Sequence, residues 1–372
     1  MDIKELTTPA FLVDLDVLEK NIEDMTDLCS RNNKKLWPMI KTHKSTQIAL
    51  MQQTAGAEGF LVGTLDEAEK LVQEGFLNIM LAYPVAGEEN VARAVNLAKK
   101  ARVILSLDGI DAARVLNDAA KCHGQTLEYL IIIDSGLHRF GVLPEEAVEL
   151  ASNLSVLEYL KLVGIGTHPG HVYGSSSPEE VRKVAGEERQ AMKRAKKNLE
   201  VAGYKVDIVA TGSTPTATYV AEDENITVLR PGNFVFYDNI QMALGVVPES
   251  RCALTVLGTI VSHPREDTFI MDVGSKCLGL DKGAHGISMV KGYGMIKGHP
   301  ELLITDLSEE VGKIKLLGKT KIKVGDKVRV IPNHACSAAN MTDYLIGHRN
   351  GRIEKTIYID MRGGSFRKPP GQ

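Results

Sequence analysis

Short β-like runs alternate with helical patterns through the first three-fifths of the chain, and this alternation restricts the fold more than any other feature. Eight runs have the pattern of strands, at 36–40, 59–62, 79–82, 103–107, 129–133, 162–166, 206–210 and 227–229. Helical patterns precede or separate them, at 18–32, 65–75, 88–100, 111–123, 145–155 and 178–203. Parallel strands need crossover helices of this kind. Eight such units predict a closed (β/α)₈ barrel of the TIM type over residues 18–238.

The chain changes character after about residue 239, where no long helical pattern appears. β-like runs are separated there by Gly, Pro and Asp, at 254–262, 268–273, 327–331 and 344–348. The dipeptide Asn350-Gly351 lies between two such runs and predicts a tight hairpin turn. We therefore predict an α/β protein with a second, mostly antiparallel β domain. That domain comprises residues 1–17 and 239–372, because the extended run at 11–14 joins it.

Composition and charge exclude several classes of function. Of the 372 residues, 44% are hydrophobic and 24% charged, which is ordinary for a globular protein. The formal charge of −3 gives no electrostatic reason to expect nucleic acid or an anionic membrane as partner. No apolar run approaches the ~20 residues of a spanning helix, and the charged start Met-Asp-Ile-Lys-Glu lacks the apolar stretch of a signal peptide. Five scattered cysteines, an odd number, indicate a reducing, cytoplasmic setting.

The first predicted barrel strand leads directly to a lysine. In a (β/α)₈ barrel, reactive residues project from the carboxyl ends of the strands, and Lys41 follows the run 36–40 in the motif Lys-Thr-His-Lys. A lysine at a strand end is most often a solvated surface charge. Here it leaves a buried strand at the catalytic face, where a lysine can act as an amine nucleophile or Schiff-base partner.

Glycine and hydroxyl residues follow the seventh and eighth predicted strands, where barrel enzymes bind phosphate. The two runs are Thr211-Gly212-Ser213-Thr214 and Arg230-Pro231-Gly232-Asn233. Glycine permits close approach of the backbone, and small residues at such turns bind anions. Either run alone is a common turn, but the two together indicate a phosphate site. A phosphate site across the barrel mouth from an amine nucleophile is the arrangement that pyridoxal 5'-phosphate (PLP) requires.

Histidines follow the sixth strand, and a histidine–cysteine pair follows a strand of the β domain. His168 comes sooner after its strand than His171 and is the better candidate for the site, although isolated histidines are more often core or surface groups. His334 and Cys336 stand two apart, so on an extended segment both side chains face one way and could bind one metal ion. The alternative is a buried cysteine beside a surface histidine. Two ligands suit a catalytic rather than a closed structural site, with Zn²⁺ or Mn²⁺ as the metal.

At these motifs the chain resembles the D-threonine aldolase/D-serine dehydratase family, which are PLP enzymes of fold type III with an alanine-racemase-type barrel. The likeness covers nearly the whole length. It runs through Thr8-Pro9-Ala10-Phe11, Lys41-Thr42-His43-Lys44, Asp134-Ser135-Gly136 with Arg139 and Gly141, His168 to Tyr173, the two phosphate runs and the His334 segment. The Lys-Thr-His-Lys and His-Ala-Cys elements together are specific enough to exclude chance.

The resemblance implies roles for individual residues. Lys41 would hold PLP as a Schiff base, with His168 as a second catalytic residue. Tyr173 would lie near the pyridine nitrogen of the cofactor. The other cofactor-binding residues would be Arg139, Thr211, Gly212, Ser213, Gly232 and Asn233, and the metal ligands His334 and Cys336. Relatives commonly form homodimers in which the β domain of one chain closes the barrel of the other, which would place the metal ligands opposite Lys41 of a partner.

The metal motif divides this family. Aldolase members carry His-x-Asp, whereas dehydratase members carry His-x-Cys with a later Asn, and this chain has His334-Ala335-Cys336 and Asn340. The resemblance therefore implies a lyase for small D-β-hydroxy amino acids, with D-serine dehydratase as the first interpretation. A D-threonine or 3-hydroxy-D-amino acid aldolase that uses His168 as base is the alternative, and an amino acid racemase is another. A non-enzymatic PLP carrier is disfavoured, because such relatives lack the β domain.

Overall fold

The N-terminal strand of the protein belongs to the second sheet rather than to the barrel. The computed structural model describes residues 1–285 and 288–362. The tail Arg367-Lys-Pro-Pro-Gly-Gln372, whose sequence predicts a frayed end, lies outside the described residues. Strand β1 (Ala10–Asp14) leads directly into helix α1 (Leu15–Arg31). Asp14 caps this helix, since its carboxylate accepts a hydrogen bond from the backbone N–H of Val17.

Eight parallel strands form the barrel predicted from the sequence. They are β2 (Lys35–Leu36), β3 (Phe60–Val62), β4 (Asn78–Leu81), β5 (Arg102–Leu107), β6 (Leu127–Ile132), β7 (Leu160–Gly166), β8 (Ile208–Thr211) and β9 (Val228–Leu229). From β3 to β9, each strand pairs with the next one in the chain, and β2 pairs with β9. Beyond β2, a bridge between Met39 and Leu61 closes the ring. The (β/α)₈ prediction is confirmed.

Helices connect these strands on the outside of the barrel. They are α2 (Thr46–Ala55), α3 (Leu65–Gln73), α4 (Glu88–Ala98), α5 (Ile110–Cys122), α6 (Ala147–Ser155), α7 (Pro178–Val201), α8 (Ala217–Val220) and α9 (Asn239–Ala243). The sequence predicts α1 and α3 to α7 within a few residues but misses α2. Helix α2 buries only a narrow face, formed by Ile48, Ala49 and Gln52, so its apolar pattern is weak. None of the described helices is long and apolar enough to cross a membrane.

The mostly antiparallel sheet predicted after residue 239 is present. Its further strands are β10 (Leu254–Arg265), β11 (Thr268–Met271), β12 (Met295–Ile296), β13 (Leu302–Leu307), β14 (Gly312–Leu316), β15 (Lys327–Ile331), β16 (Tyr344–Arg349) and β17 (Arg352–Tyr358), with short helices α10 (Ser275–Leu278) and α11 (Ala335–Ala339). The order is β11-β14-β13-β12-β15-β10-β1-β16-β17, and pairing of β10 with β11 closes six strands into a small barrel. Asn350 and Gly351 both have positive φ, at 49° and 83°, as the predicted tight turn requires.

Strand alternation separates two hydrophobic cores in the larger barrel. One set of strand residues fills the barrel interior, including Met80, Ile104, Leu130 and Ala210. Their neighbours in sequence face the helices instead, as Val209 does. The interior is therefore packed, and polar side chains reach a common space only beyond the carboxyl ends of the strands.

Candidate active site

A cavity of about 780 Å³ lies at the carboxyl ends of the barrel strands, and residues of both the barrel and the β domain line it. Ten of the eleven site residues predicted from the sequence contribute to its wall. They are Lys41, Arg139, His168, Tyr173, Gly212, Ser213, Gly232, Asn233, His334 and Cys336. Asn340, the later asparagine of the metal motif, lines it as well, whereas His171 does not.

The Lys-Thr-His-Lys motif divides its side chains between the cavity and the core. Lys41 stands on a 3₁₀ turn between β2 and α2 and is exposed to the cavity. His43 turns away and is fully buried, where its Nδ1 accepts from the backbone N–H of Ser45 at 3.1 Å and its Nε2 faces the Gln52 side-chain oxygen at 3.3 Å. This histidine is therefore a structural residue. Lys44 returns to the cavity, with its Nζ 3.3 Å from the buried carboxylate of Glu67.

The two runs predicted to bind phosphate pack against each other and against the lysine turn. The backbone N–H of Phe234 donates to Thr214 Oγ1 at 3.1 Å, which ties the run after β8 to the run after β9. A Cβ atom added at Gly232 would lie 2.9 Å from both Met39 Cβ and Thr42 Oγ1. Only glycine therefore allows this backbone to lie so close to the segment that carries Lys41.

Thr211 does not face the cavity, in contrast to the sequence interpretation. Strand alternation places Ala210 in the barrel interior, so Thr211 points outward to helix α7. Its hydroxyl donates there to the fully buried carboxylate of Glu188, which also accepts from the backbone N–H of Gly212 at 2.9 Å. Burial raises the pKa of Glu188 against these hydrogen bonds. The alternation is readable from the sequence, and it is the signal that indicates an outward orientation for Thr211.

The charged side chains of the cavity and its two glycine-containing runs, at 211–214 and 230–233, fit PLP. Four cationic side chains line it, namely Lys41, Lys44, Arg139 and Arg230, and Glu67 is the only carboxylate among the described lining residues. Arg230 is buried, and its Nε has no hydrogen-bond partner in the described part of the chain. Burial lowers the pKa of this guanidinium to about 10. An excess of positive charge beside a glycine cradle is suited to a phosphate and a substrate carboxylate.

The spacing of His334 and Cys336 predicts that both lie on an extended segment, but the structure differs. Strand β15 ends at Ile331 and His334 is the N-cap of α11, so Cys336 stands in the first turn of a helix. The two side chains still line the same cavity, and His334 lowers the pKa of the Cys336 thiol. Cys336 also donates to Thr42 Oγ1 at 3.3 Å within the same chain. The expectation that this pair lies opposite Lys41 of a partner is therefore wrong.

The surroundings of this pair fit a divalent metal. Asp281 Oδ2 lies 3.9 Å from His334 Nδ1, and a carboxylate at that nitrogen usually orients a metal-binding histidine. Burial opposes ionisation of Cys336, but His334 and Lys41 outweigh it and lower the thiol pKa, so the metal-binding thiolate is favoured. The described residues contain no group of three or more His, Cys, Asp or Glu side chains able to hold a metal. Water or substrate would fill the remaining positions, as in catalytic sites.

Asp238 joins the run after β9, which is predicted to bind phosphate, to the segment that carries His334 and Cys336. The sequence motifs assign no role to this residue. Its Oδ2 accepts from Asn233 Nδ2 at 2.6 Å and from the backbone N–H of Ala335 at 2.9 Å. Its Oδ1 caps α9 by accepting from the backbone N–H of Gln241. Burial raises the pKa of this carboxyl group against those hydrogen bonds. No local pattern distinguishes Asp238 from an ordinary helix cap, so the sequence carries no signal for this role.

A cluster of aromatic rings and one guanidinium forms another part of the cavity wall. His168 Nε2 lies 3.3 Å from the Nε2 of His285, which a β-domain loop carries. Burial, together with Lys41, His285 and Arg139, keeps the pKa of His168 well below its usual range, so the ring is neutral. The ring of Tyr173 lies 5.5 Å from that of His285, and burial raises the pKa of its phenol. His285 lies far from every motif in the sequence, so pattern reasoning misses it.

Comparison with known families identifies the chain. Residues 13–239 match the family model for the alanine racemase N-terminal domain, and residues 253–347 match that for the putative serine dehydratase domain. The chain belongs to the D-serine dehydratase/D-threonine aldolase family. This confirms the resemblance drawn from the motifs, and the alanine-racemase-type barrel of the family implies PLP as cofactor.

Individual relatives cover nearly the whole chain. The D-threo-3-hydroxyaspartate dehydratase of Delftia sp. (strain HT23) is 30% identical over 89% of this chain and 91% of its own length. The solved structure of a cysteine-to-alanine mutant of a D-threo-3-hydroxyaspartate dehydratase in the metal-free form is 28% identical, with a TM-score of 0.89 over 96% of this chain and 98% of that one. The D-serine dehydratase of Dictyostelium discoideum is 30% identical over 95% and 96% of the two chains. The D-threonine aldolase structure from Filomicrobium marinum is 25% identical, with a TM-score of 0.88 over 97% and 96%.

Proposed function

We propose that this protein is a PLP- and metal-dependent lyase that acts on D-β-hydroxy amino acids, with D-serine as substrate and pyruvate and ammonia as products. The observation that carries the proposal is the His334–Cys336 pair in the same cavity as Lys41. The cysteine thiol reaches the hydroxyl of Thr42, the neighbour of Lys41. A group that acts on Cα and a group that acts on the β-hydroxyl thereby face one substrate.

The proposed reaction removes a proton from Cα and a hydroxyl group from Cβ of the substrate, and different residues would serve the two positions. Bound PLP supplies an electron sink that stabilises a carbanion at Cα. Lys41 would hold the cofactor, and its amine is the group placed to take the Cα proton. Ser213, Thr214 and Gly232 would contact the phosphate, and Arg139 or Arg230 would neutralise anionic groups in the cavity.

His334 and Cys336 would hold a divalent metal, Zn²⁺ or Mn²⁺, which as a Lewis acid makes the β-hydroxyl a better leaving group. Each tenfold gain in rate needs ~1.4 kcal/mol, and a metal supplies several times that value. Loss of the β-hydroxyl with the Cα proton accounts for the water eliminated from D-serine. Hydrolysis of the remaining enamine then gives one pyruvate and one ammonia.

A retro-aldol reaction is the second candidate, and the neutral state of His168 favours it. An uncharged ring in the cavity can take the proton of a β-hydroxyl, which is the step that would split D-threonine into glycine and acetaldehyde. The two reactions use the same cofactor and metal. They differ in whether the C–O or the C–C bond at the β-carbon breaks.

The deciding experiment is a substrate screen on the purified holoenzyme. D- and L-serine, D-threonine and D-3-hydroxyaspartate are supplied with Zn²⁺, with Mn²⁺ and with a chelator, and keto acid and aldehyde are assayed separately. Keto acid from D-serine that is lost with the chelator supports the dehydratase. Aldehyde with glycine indicates the aldolase instead. Interconversion of enantiomers that survives the chelator indicates a racemase and contradicts the proposal.

A further inference from the structure

Three side chains form a continuous hydrogen-bonded chain between the barrel and the β domain. Arg139 Nη1 lies 3.4 Å from His285 Nδ1, and His285 Nε2 lies 3.3 Å from His168 Nε2. Arg139 and His168 follow strands β6 and β7, whereas His285 stands on the loop between α10 and β12. The proposed function gives His285 no part, although the ring lines the cavity.

The chemistry of these groups fixes where their protons lie. A guanidinium only donates hydrogen bonds, so Nδ1 of His285 is the acceptor and its ring proton is on Nε2. That N–H points at His168 Nε2, which must therefore accept. Since a neutral imidazole carries one proton, His168 carries it on Nδ1 and has its lone pair on Nε2. Burial, Lys41 and Arg139 lower the pKa of His285 to about 4, which agrees with a neutral ring.

We propose that His285 is a positioning residue that holds His168 in the Nδ1–H form and opposes its protonation while the cavity is free of substrate. The catalytic part of this inference rests on the retro-aldol candidate of the proposed function, in which His168 takes the proton of the β-hydroxyl. If Nε2 of His168 were protonated, two N–H groups would point at each other across 3.3 Å. A substrate hydroxyl that replaces the His285 N–H then meets a lone pair already directed towards the cavity mouth.

The charges around His168 act in the same direction. The groups that face it are Lys41, Arg139 and Arg230 from the barrel and His285 from the β domain. All four are cations or hydrogen-bond donors, and none is a carboxylate. Because no anion among these groups stabilises an imidazolium, the orientation of His285 decides which nitrogen of His168 is free to act as a base.

Two substitutions at one position separate hydrogen bonding from bulk. In His285→Gln, the amide oxygen accepts from Arg139 and the amide N–H₂ donates to His168, so the chain is kept. In His285→Leu, both bonds are lost at a similar side-chain length. His123→Leu, at an exposed helix end outside the cavity, is the control.

The first readout is ¹⁵N NMR of histidine-labelled holoenzyme, with His168 assigned from a His168→Asn spectrum. We expect Nδ1–H in the wild type, His285→Gln and His123→Leu, and loss of that preference in His285→Leu. The second readout is the pH dependence of kcat/KM for cleavage of D-threonine, the reaction in which His168 is the base. Its acid limb should move up by about one pH unit in His285→Leu alone.

Either of two results would overturn the inference. One is an Nε2–H form of His168 in the wild type, and the other is a His285→Leu variant that matches the wild type in both tautomer and pH profile. If the enzyme turns over no D-β-hydroxy amino acid, the proposed function fails, but the NMR measurement still decides the role of His285.

Discussion

The thiol of Cys336 lies 3.3 Å from the hydroxyl of Thr42, although 294 positions separate the two residues in the chain. Thr42 belongs to the turn that carries Lys41, and Cys336 belongs to the first turn of α11. The candidate metal segment of the β domain is thus fastened to the candidate cofactor segment of the barrel within one protomer. This contact brings groups predicted from two distant motifs to one cavity.

Replacement of Lys41 should abolish covalent attachment of PLP. In Lys41→Ala the amine at the cavity floor is lost, so we expect neither the Schiff-base absorbance nor a borohydride-stable label in peptide maps. Lys44 is the nearest competing amine in the motif and also lines the cavity. Lys44→Gln is the matched variant and should retain the label on Lys41. A label that persists in Lys41→Ala would assign the attachment to another lysine.

Cys336→Ala should retain PLP and lose metal-dependent turnover. Removal of the thiolate leaves His334 alone, and loss of a Lewis acid worth several kcal/mol corresponds to a fall in kcat of about 100-fold or more. Metal content by atomic emission and the cofactor spectrum are measured on the same sample. The control is Cys122→Ala, which removes an exposed free cysteine outside the cavity. Full turnover by Cys336→Ala would exclude a metal role for this residue.

Most of the barrel was predictable because its information is local. Strand and helix patterns alternate with the spacing of crossover units, and the carboxyl-end rule then places Lys41, His168 and Gly232 around one cavity. The division of the chain at residues 17 and 238, the homodimer and the individual residue roles stay predictions. They depend on experiments described here or on measurement of the oligomeric state.

The parts that the sequence does not reveal are set by contacts between distant segments. Asp238 acquires its importance from its contact with Ala335, and His285 from its contact with His168, and tertiary packing alone brings each of these pairs together. The extended conformation expected for the His334–Cys336 pair holds at His334 but ends there, because helix α11 begins at Ala335 and includes Cys336. Both side chains nevertheless line the same cavity.

Alanine substitutions at two glycines should have opposite effects on stability. A Cβ at Gly232 would lie 2.9 Å from Met39 Cβ and 3.1 Å from the Met39 backbone oxygen, and neither of these atoms can move without the backbone. Gly232→Ala should therefore lower the free energy of unfolding by about 1–3 kcal/mol and weaken PLP binding. A Cβ at Gly186, inside α7, meets nothing within 4 Å.

Gly186→Ala is accordingly the matched control, and it should raise the free energy of unfolding by about 0.5–1 kcal/mol, because alanine loses less entropy in a helix. Both are measured by urea denaturation and by titration of the apoenzyme with PLP. If Gly232→Ala bound PLP as tightly as the wild type, that result would contradict the close packing of Gly232 against the segment from Met39 to Thr42.

Acid should destabilise the protein through His43. Burial lowers the pKa of this fully buried histidine from its ordinary 6.5 to about 3, so the folded state keeps it neutral while the unfolded state takes up a proton. The unfolded state is therefore favoured increasingly as pH falls from 6.5 towards 3. At pH 5 the free energy of unfolding is therefore about 2 kcal/mol lower than at pH 7 from this residue alone.

The free energy of unfolding of His43→Gln should fall less than that of the wild type between pH 7 and pH 5, by about that amount. His263→Gln, at an exposed site, should keep the wild-type pH dependence. Parallel curves for the wild type and His43→Gln would show that His43 is charged in the folded protein.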